Sequence, residues 1–314
     1  MDFHSSSPGE AAANEGALTE GKVRTVARDV TVEGIGLHSG RPCRVTLRPR
    51  EVAGWELARV DLPGSPTIPV APANVSRTQH ATVLERGEAS VSTVEHLLAA
   101  LWARGVGACR IEVSSAELPI LDGSALEWCR ALDQAGEVEL ALPRPVYALR
   151  EPVSILHGEG CVLGLPHPTL RTSSSVSFAT LWDSNQTMDC DISPQEFTLH
   201  IAPARTFTLE SWIEPLQKAG LIKGGSPSNA LILDDSGPSS PWRLPGELAR
   251  HKILDLLGDV ALLFGSDGGT LRAHLIAIKA GHEMHRLWAR EALRRHAIVR
   301  LDAHREGSSE TPLP

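Results

Sequence analysis

The stretch "ARHKILDLLGDVALLFG", residues 249–265, is an apolar segment of helical length that carries His251, Asp255 and Asp259 at intervals of four residues. Positions four apart in an α-helix drift by only about 40°, so these three side chains share one stripe. Apolar residues on the neighbouring faces predict a buried helix. Buried carboxylates are costly unless they are paired or bind a cation. The stretch therefore predicts a core helix with a metal ion or a tight polar network along one side.

A histidine followed four residues later by an aspartate has the spacing to bind one zinc ion and to leave room for a third ligand and a water molecule. A buried histidine–aspartate hydrogen bond without metal is the alternative, and this pattern is common by chance. The helix alone leaves both interpretations open.

A second apolar helix is predicted in "STVEHLLAAL", residues 92–101, where Glu95 precedes His96. His96 can supply a third zinc ligand, and Glu95 can take a proton from water beside it. Each residue also has a plainer explanation. A histidine here is more often a core or cap residue, and Ser92 with Glu95 has the spacing of a capping box. Only the two helices together supply the groups that a zinc hydrolase requires.

"KAGHEMHRLW", residues 279–288, comes close to the H-E-x-x-H motif of metalloproteases, but His282 and His285 are one residue too close together and the motif fails. His282 follows Gly281 at a predicted strand-to-helix corner. This position suits an exposed catalytic imidazole, and helix capping is the alternative.

The composition argues against several classes of protein. A formal net charge of -8 gives no support to general nucleic-acid binding, although it leaves room for a local basic pocket that takes a phosphorylated small molecule. The five cysteines are scattered without a C-x-x-C pair, which argues against disulfides and cysteine zinc sites. The chain has no signal-like leader and no apolar run that approaches the roughly 18 residues of a membrane span. We expect a cytoplasmic protein without an integral membrane segment.

The chain divides into two stretches with the same order of elements, strands first and helices afterwards. We predict an α+β fold with one domain over residues 23–143 and a second over residues 149–302, which share a cleft. A proline-rich linker is predicted at residues 141–152. Residues 1–22 and 303–314 are predicted to be tails.

Two local features follow from the turns. The glycine-rich turn "GIGLHSG", residues 34–40, lies in a predicted hairpin and has no helix after it, which makes a dinucleotide-binding loop a poor explanation. Ser124, with Glu127 three residues on, is predicted to cap the helix that follows.

Seven motifs, taken in order, closely resemble the zinc-dependent UDP-3-O-acyl-N-acetylglucosamine deacetylases of lipid A biosynthesis, the LpxC family. The resemblance covers nearly the whole chain outside its tails. Seven ordered motifs are far more specific than any one of them. The motifs are "GIGLHSG", "STVEHLLAAL", "ELPILDGSA", "ARTF", "GLIKGGS", "RHKILDLLGD" and "KAGH".

The resemblance implies two α+β domains of similar topology, each a layer of helices on a β-sheet, with the active site in the cleft between them. It implies a hydrolase that binds Zn2+ and acts on a small-molecule, lipid-linked sugar nucleotide, and we expect a monomer. The family's zinc ligands correspond to His96, His251 and Asp255.

Catalytic roles are implied in the same way. The general base corresponds to Glu95, and the cationic acid corresponds to His282, whose charge Asp259 would support. Thr206 matches the threonine that donates a hydrogen bond to the oxyanion. The implied reaction removes the N-acetyl group of UDP-3-O-(3-hydroxyacyl)-N-acetylglucosamine: water activated by zinc attacks the acetyl carbonyl, Glu95 takes the proton and His282 protonates the departing amine. Acetate and the free amine result.

Substrate contacts are implied as well. Lys252 matches a lysine at the polar end of the substrate, Phe178 matches a residue that stacks on uracil, and Phe207 is a further substrate-binding position. An insertion at about residues 198–235 is expected to form an apolar passage for the acyl chain, and the alternative is that its apolar stripe packs on the domain core. The apolar residues concerned are Ile201, Phe207, Leu209, Trp212, Ile213, Leu216, Leu221 and Ile222.

One strand departs from the family's pattern. "VSFATLWDSNQ", residues 176–186, keeps Phe178 but has Ser177, Thr180 and Leu181 around it, which predicts altered nucleotide affinity. The segment before the helix that carries His251 also lacks the family's usual sequence. The altered strand favours a zinc amidase for another N-acetyl sugar nucleotide as the second hypothesis. A non-catalytic binding homologue is the third, and the complete set of catalytic residues argues against it.

Overall fold

Residues 21–178, 185–301 and 311–313 are described by the computed structural model. Six α-helices lie in this part of the chain, together with three shorter helical segments. The helices are α1 (Glu95–Arg104), α2 (Leu126–Ala135), α3 (Pro194–Glu196), α4 (Glu210–Lys218), α5 (Glu247–Ala261) and α6 (His282–Arg294), and the shorter segments are Pro72–Asn74, Phe197–Ile201 and Leu262–Phe264.

The described ranges also contain many short strands. Those of the first half are β1 (Lys22–Val26), β2 (Val30–Ile35), β3 (Pro42–Arg48), β4 (Gly54–Arg59), β5 (Thr67–Pro69), β6 (Val75–Arg77), β7 (Val83–Arg86), β8 (Ala89–Ser92), β9 (Val106–Val113) and β10 (Glu137–Pro143). Those of the second half are β11 (Val146–Leu149), β12 (Val153–His157), β13 (Gly160–Leu165), β14 (Leu170–Val176), β15 (Gln186–Asp191), β16 (Phe207–Leu209), β17 (Leu231–Asp234), β18 (Gly237–Pro238), β19 (Thr270–Ile278), β20 (Ile298–Leu301) and β21 (Thr311–Pro312).

Two large mixed sheets organise the chain. The first has the order β10-β1-β9-β3-β2, with β4 pairing with β9 and β5. The second has the order β12-β13-β19-β11-β20-β21, with β14 pairing with β19 and β15. Two three-stranded sheets, β6-β7-β8 and β16-β17-β18, complete the described strands. The α+β class that the sequence predicts is confirmed, whereas the independence of the two halves as domains stays a prediction.

Helices α1 and α5 pack directly against each other at the centre of the molecule. Gly258 of α5 makes this approach possible, because a Cβ atom added there would lie 2.1 Å from the carbonyl oxygen of Glu95. All residues of α1 except Arg104 are buried, and in α5 only Arg250 and Lys252 are not. The sequence prediction of two apolar core helices is therefore correct.

The contact between the two halves continues beyond this crossing. The indole of Trp102, on α1, stacks on Phe264 with ring centroids 5.4 Å apart, and its Nε1 donates to the carbonyl oxygen of Gly269 at 3.0 Å. One contiguous buried apolar cluster includes side chains from both large sheets and from both central helices. A shared core of this kind fixes the relative position of groups on α1 and α5.

One local prediction is wrong, and a second is correct only in part. The proline-rich segment 141–152 is not a simple linker, because it contains the end of β10 and the whole of β11, which pairs with β19 and β20. Helix α2 begins at Leu126, two positions after Ser124, and its N-cap is Ala125. The hydroxyl of Ser124 donates to Asp122 and accepts from the backbone N–H of Leu126.

The predicted tails lie mostly outside the described residues. Of the C-terminal one, β21 pairs with β20, and Leu313 after it is buried in the core cluster. None of the helices that the structure describes combines the length and the apolar composition that crossing a bilayer would need.

Candidate active site

Three buried side chains converge where α1 crosses α5. His96 lies at the start of α1, and His251 and Asp255 lie one turn apart on α5. The Nε2 atoms of His96 and His251 lie 3.8 Å and 3.4 Å from Oδ1 of Asp255, and one potential ligand atom from each residue lies within 4.8 Å of the other two. The structure thus brings together the three predicted metal ligands.

The two imidazoles of this cluster are held edge to face. Their ring centroids are 5.1 Å apart at an interplanar angle of 87°. Nδ1 of His251 bonds to the carbonyl oxygen of Ala204 at 3.0 Å, which leaves Nε2 as the nitrogen that faces the cluster. A second hydrogen bond of this type fixes the tautomer and the orientation of a metal-binding histidine.

The electrostatics of the cluster favour neutral imidazoles and an ionised carboxylate. Burial lowers the pKa of His96 to about 3, and burial also lowers the pKa of His251. Burial alone would raise the pKa of Asp255, but the Lys252 ammonium, whose Nζ lies 2.9 Å from Oδ2, and the positive charge of His282 hold it well below its usual range. Two neutral nitrogens and one carboxylate oxygen form a donor set that zinc accepts in catalytic sites, so the residues fit this ion.

Glu95 lies next to the cluster with its carboxylate buried. Its Oε2 accepts a hydrogen bond from the backbone N–H of Thr82 at 3.1 Å, and its Oε1 lies 3.8 Å from Nε2 of His282. Glu95 is the first residue of α1 and Val94 is the N-cap, without a side-chain cap. The capping box with Ser92 is therefore not formed. Burial raises the pKa of Glu95 to about 7 despite the nearby imidazole, which suits a carboxylate that exchanges protons near neutral pH.

His282, at the start of α6, is paired with Asp259 of α5. Nδ1 of His282 lies 2.7 Å from Oδ2 of Asp259. Burial opposes a charged imidazole, but Asp259 and Asp255 overcome that effect and raise the pKa of His282 to about 10. The residue is therefore an imidazolium at neutral pH. Helix capping does not account for it, because Gly281 is the N-cap of α6.

Thr206 is fixed by its backbone. Its N–H donates to the carbonyl oxygen of Gly123 at 2.7 Å, and its carbonyl oxygen accepts from the N–H of Leu231 at 2.9 Å. The preceding residue, Arg205, forms a buried ion pair with Glu247 in the first turn of α5, with Nε 2.8 Å from Oε1. The loop that carries Thr206 is thereby tied to the helix that carries His251.

A cavity of about 370 Å³ opens over these groups. Its polar wall contains the predicted catalytic and metal-binding residues except Asp259, which lies behind His282. Its apolar wall comes largely from the segment predicted to form the acyl passage. The polar group comprises Glu95, His96, Thr206, His251, Lys252, Asp255 and His282, and the apolar group includes Leu37, Ile120, Phe207, Trp212, Ile213, Leu216 and Ile222.

The predicted acyl-chain residues do not all face this cavity. No residue of α4 is buried, and none belongs to the core clusters. Ile201 is fully buried in the main core cluster, and Leu209 packs against a smaller cluster beside Val176. These two residues were assigned to the passage because sequence cannot distinguish an apolar wall from an apolar core.

Of the remaining predicted contacts, Lys252 and Phe207 line the cavity, and Phe178 lies beside Phe207. Nζ of Lys252 lies 5.2 Å from the ring centroid of Phe207. Phe178 packs edge to face on Phe207 and on Trp212, with centroids 5.8 Å and 6.1 Å away. Of the departures from the family's pattern, Ser177 directly follows β14, and Thr180 and Leu181 lie outside the described residues.

Sequence reasoning missed two residues that contact the catalytic groups. The hydroxyl of Thr82 donates to Oδ1 of Asp259 at 2.5 Å, and Nδ1 of His285 lies 2.7 Å from Oδ2 of the same carboxylate. Thr82 has no distinctive sequence signal. The HEMH motif gave a signal for His285, but only as a failed metal motif.

Comparisons with known proteins agree with this geometry. A family model described as UDP-3-O-acyl N-acetylglycosamine deacetylase matches residues 23–294. A UDP-3-O-acyl-N-acetylglucosamine deacetylase of Thermosynechococcus vestitus is 41% identical over 269 residues, which are 85% of this chain and 92% of the relative. Relatives of the same name are 43% identical in a Nostoc species, over 84% of this chain and 95% of the relative, and 36% identical in Bdellovibrio bacteriovorus, over 89% and 94%.

Proposed function

Because the chain belongs to the family of UDP-3-O-acyl-N-acetylglucosamine deacetylases, we propose that it is an amide hydrolase of lipid A biosynthesis. Its substrate is UDP-3-O-(3-hydroxyacyl)-N-acetylglucosamine, and its products are acetate and the free amine. The observation that carries the proposal is a single cavity whose wall combines the His96, His251 and Asp255 cluster with a buried carboxylate and an imidazolium.

The metal that we propose for the cluster is zinc, held by Nε2 of His96, Nε2 of His251 and a carboxylate oxygen of Asp255. When bound, zinc supplies the Lewis acidity that lets water act as a nucleophile near neutral pH. The cluster supports this assignment through its three converging donors and their protonation states. Lys252 stabilises the ionised form of Asp255 from the cavity side.

Glu95 acts as the general base. Its carboxylate borders the cavity beside the metal ligands, and its raised pKa allows it to take a proton from the attacking water and release it later. The hydroxyl of Thr206 donates to the oxygen of the acetyl carbonyl as negative charge develops there. Preorganised donors of this kind stabilise a transition state because they need no reorganisation during the reaction.

His282 acts as the general acid. Its Nε2 carries a proton toward the cavity, while Nδ1 donates to Asp259, so the imidazolium can protonate the departing amine nitrogen. Asp259 contributes by stabilising the charge of His282 rather than by contacting the substrate. The acid and the base therefore lie side by side, 3.8 Å apart, on the same wall of the cavity.

The acyl chain occupies the apolar wall formed by α4 and its flanking loops, with Trp212, Ile213 and Leu216 among its contacts. The uracil end lies toward Phe178, which packs on Phe207. We further propose that the enzyme acts as a monomer in the cytoplasm.

Acetate release from purified zinc-loaded protein tests the proposal. We expect release from the 3-O-acylated substrate with a kcat/KM several orders of magnitude above that for UDP-N-acetylglucosamine, because each buried methylene contributes about 0.8 kcal/mol. Equal kcat/KM values for the two compounds would reject the acyl passage and promote the amidase for another sugar nucleotide. No release from either compound would reject the deacetylase.

A further inference from the structure

One buried titratable side chain beside the active site has no role in the proposed mechanism. His285, on α6, is fully buried, and its Nδ1 lies 2.7 Å from Oδ2 of Asp259. The same oxygen is 2.7 Å from Nδ1 of His282, and the other oxygen, Oδ1, accepts from the hydroxyl of Thr82. The carboxylate of Asp259 thus has three side-chain donors, two of them on one oxygen.

We infer that His285 is a positioning residue. It fixes the orientation of the Asp259 carboxylate, and that carboxylate in turn orients the ring of His282. The inference rests on the proposed function, because it concerns the general acid of that reaction. His282 and His285 are three residues apart and therefore lie on the same face of α6. The spacing that fails as a metalloprotease motif places two imidazoles on one carboxylate oxygen.

The surroundings of Nε2, the second ring nitrogen of His285, show which ring nitrogen carries the proton. Nε2 is buried and has no hydrogen-bond partner among the residues that the structure describes. A proton on Nε2 would create a buried donor without an acceptor, which is costly. The favoured form therefore carries its proton on Nδ1, and His285 is a neutral donor to Asp259 rather than a second cation.

A neutral donor at this place has a specific effect. A carboxylate held by one donor on each oxygen, Thr82 and His282, can still tilt about its Cβ–Cγ bond within the tolerance of those two hydrogen bonds, and the ring of His282 would follow it. The third donor, on Oδ2, narrows the range of that tilt. Nε2 of His282 then keeps its direction toward Glu95, which it approaches to 3.8 Å.

Three substitutions distinguish the loss of the hydrogen-bond donor from the loss of the volume of the ring. Asparagine branches at the same atom as histidine, so the amide nitrogen of His285→Asn can replace Nδ1. His285→Gln places its amide nitrogen farther out, where Nε2 lies. His285→Leu fills space without a donor.

We would measure kcat and KM for acetate release, together with zinc content and melting temperature, for zinc-loaded wild type and variants. We expect His285→Leu and His285→Gln to lower kcat by about 10-fold or more at unchanged KM and zinc content, and His285→Asn to restore most of the loss. Wild-type kcat in the leucine variant overturns the inference, and so does an asparagine variant as impaired as the leucine variant. If the leucine variant does not fold, the glutamine variant takes its place. Wild-type kcat in the glutamine variant, or an asparagine variant as impaired as the glutamine variant, then overturns the inference.

A spectroscopic signature of the orientation complements the kinetics. In protein labelled with nitrogen-15 at histidine, the Nδ1–H signal of His282 should be sharp in wild type and in His285→Asn, and broadened in His285→Leu. A sharp and unshifted His282 signal in the leucine variant contradicts the inference even if activity falls. If wild type releases no acetate, the proposed function fails and the inference falls with it.

Discussion

At the scale of single residues, each charged group on the central helix is balanced by a different partner. Asp255 faces two imidazoles and the ammonium of Lys252, and Asp259 faces the imidazolium of His282. The sequence shows that such a buried stripe needs partners, because an unpaired buried carboxylate is too costly. Motif resemblance supplied the identity of most partners. Spacing alone could not, because the donors come from segments far apart in the chain.

Glu95→Gln separates a catalytic role from a structural one. The glutamine oxygen can still accept from the N–H of Thr82. A neutral amide also avoids the cost of burying a negative charge, which is the effect that raises the pKa of the carboxyl to about 7. We therefore expect an unchanged or higher melting temperature, with kcat lowered about 10²-fold or more because the general base is lost. Normal activity per folded molecule with a collapsed melting temperature would show that Glu95 is only structural.

Asp259→Asn tests the source of the charge on His282. The carboxylate of Asp259 raises the pKa of His282 to about 10, so its removal should lower that pKa. His282 must be protonated to act as an acid, and the alkaline limb of the kcat profile should therefore move to lower pH, by about one unit or more. An alkaline limb at the wild-type position would mean that another group limits the rate at high pH.

At the scale of elements, the active site depends on how closely α1 and α5 approach. The apolar periodicity of both helices was sufficient to predict them from sequence. Their crossing was not predictable, because it depends on a residue without a side chain, Gly258, at the point of contact. It also depends on loops that carry little periodic signal. Apolar composition alone cannot distinguish the core residues Ile201 and Leu209 from a passage wall, and the prolines of residues 141–152 conceal the pairing of β11 with β19 and β20.

Gly258→Ala tests this approach. An added Cβ would lie 2.1 Å from the carbonyl oxygen of Glu95, so α1 must shift together with Glu95 and His96. We expect a loss of about 1–3 kcal/mol in the free energy of unfolding and a parallel loss of zinc affinity. Wild-type stability and zinc affinity in Gly258→Ala would contradict the tight crossing.

At the scale of the whole molecule, two sheets meet through one core, and the reactive groups come from both halves. The order of strands and helices predicts the α+β class and the ordered motifs predict the deacetylase family, and the fold and the relatives confirm both. The contacts of Thr82 and His285 with Asp259 could not be predicted, because the first arises only when the two halves pack together and the second only when α6 packs against α5. The roles assigned to the site residues remain predictions that solution measurements must decide.

Acetate release measured as a function of bound zinc tests the central claim most directly. Metal-free protein, prepared with a chelator, should release no acetate from the 3-O-acylated substrate. Activity should then rise in proportion to added zinc and level off at about one zinc per chain, since His96, His251 and Asp255 form one site. Full acetate release by metal-free protein, or by a variant in which His96 and His251 are both alanine, would contradict the account.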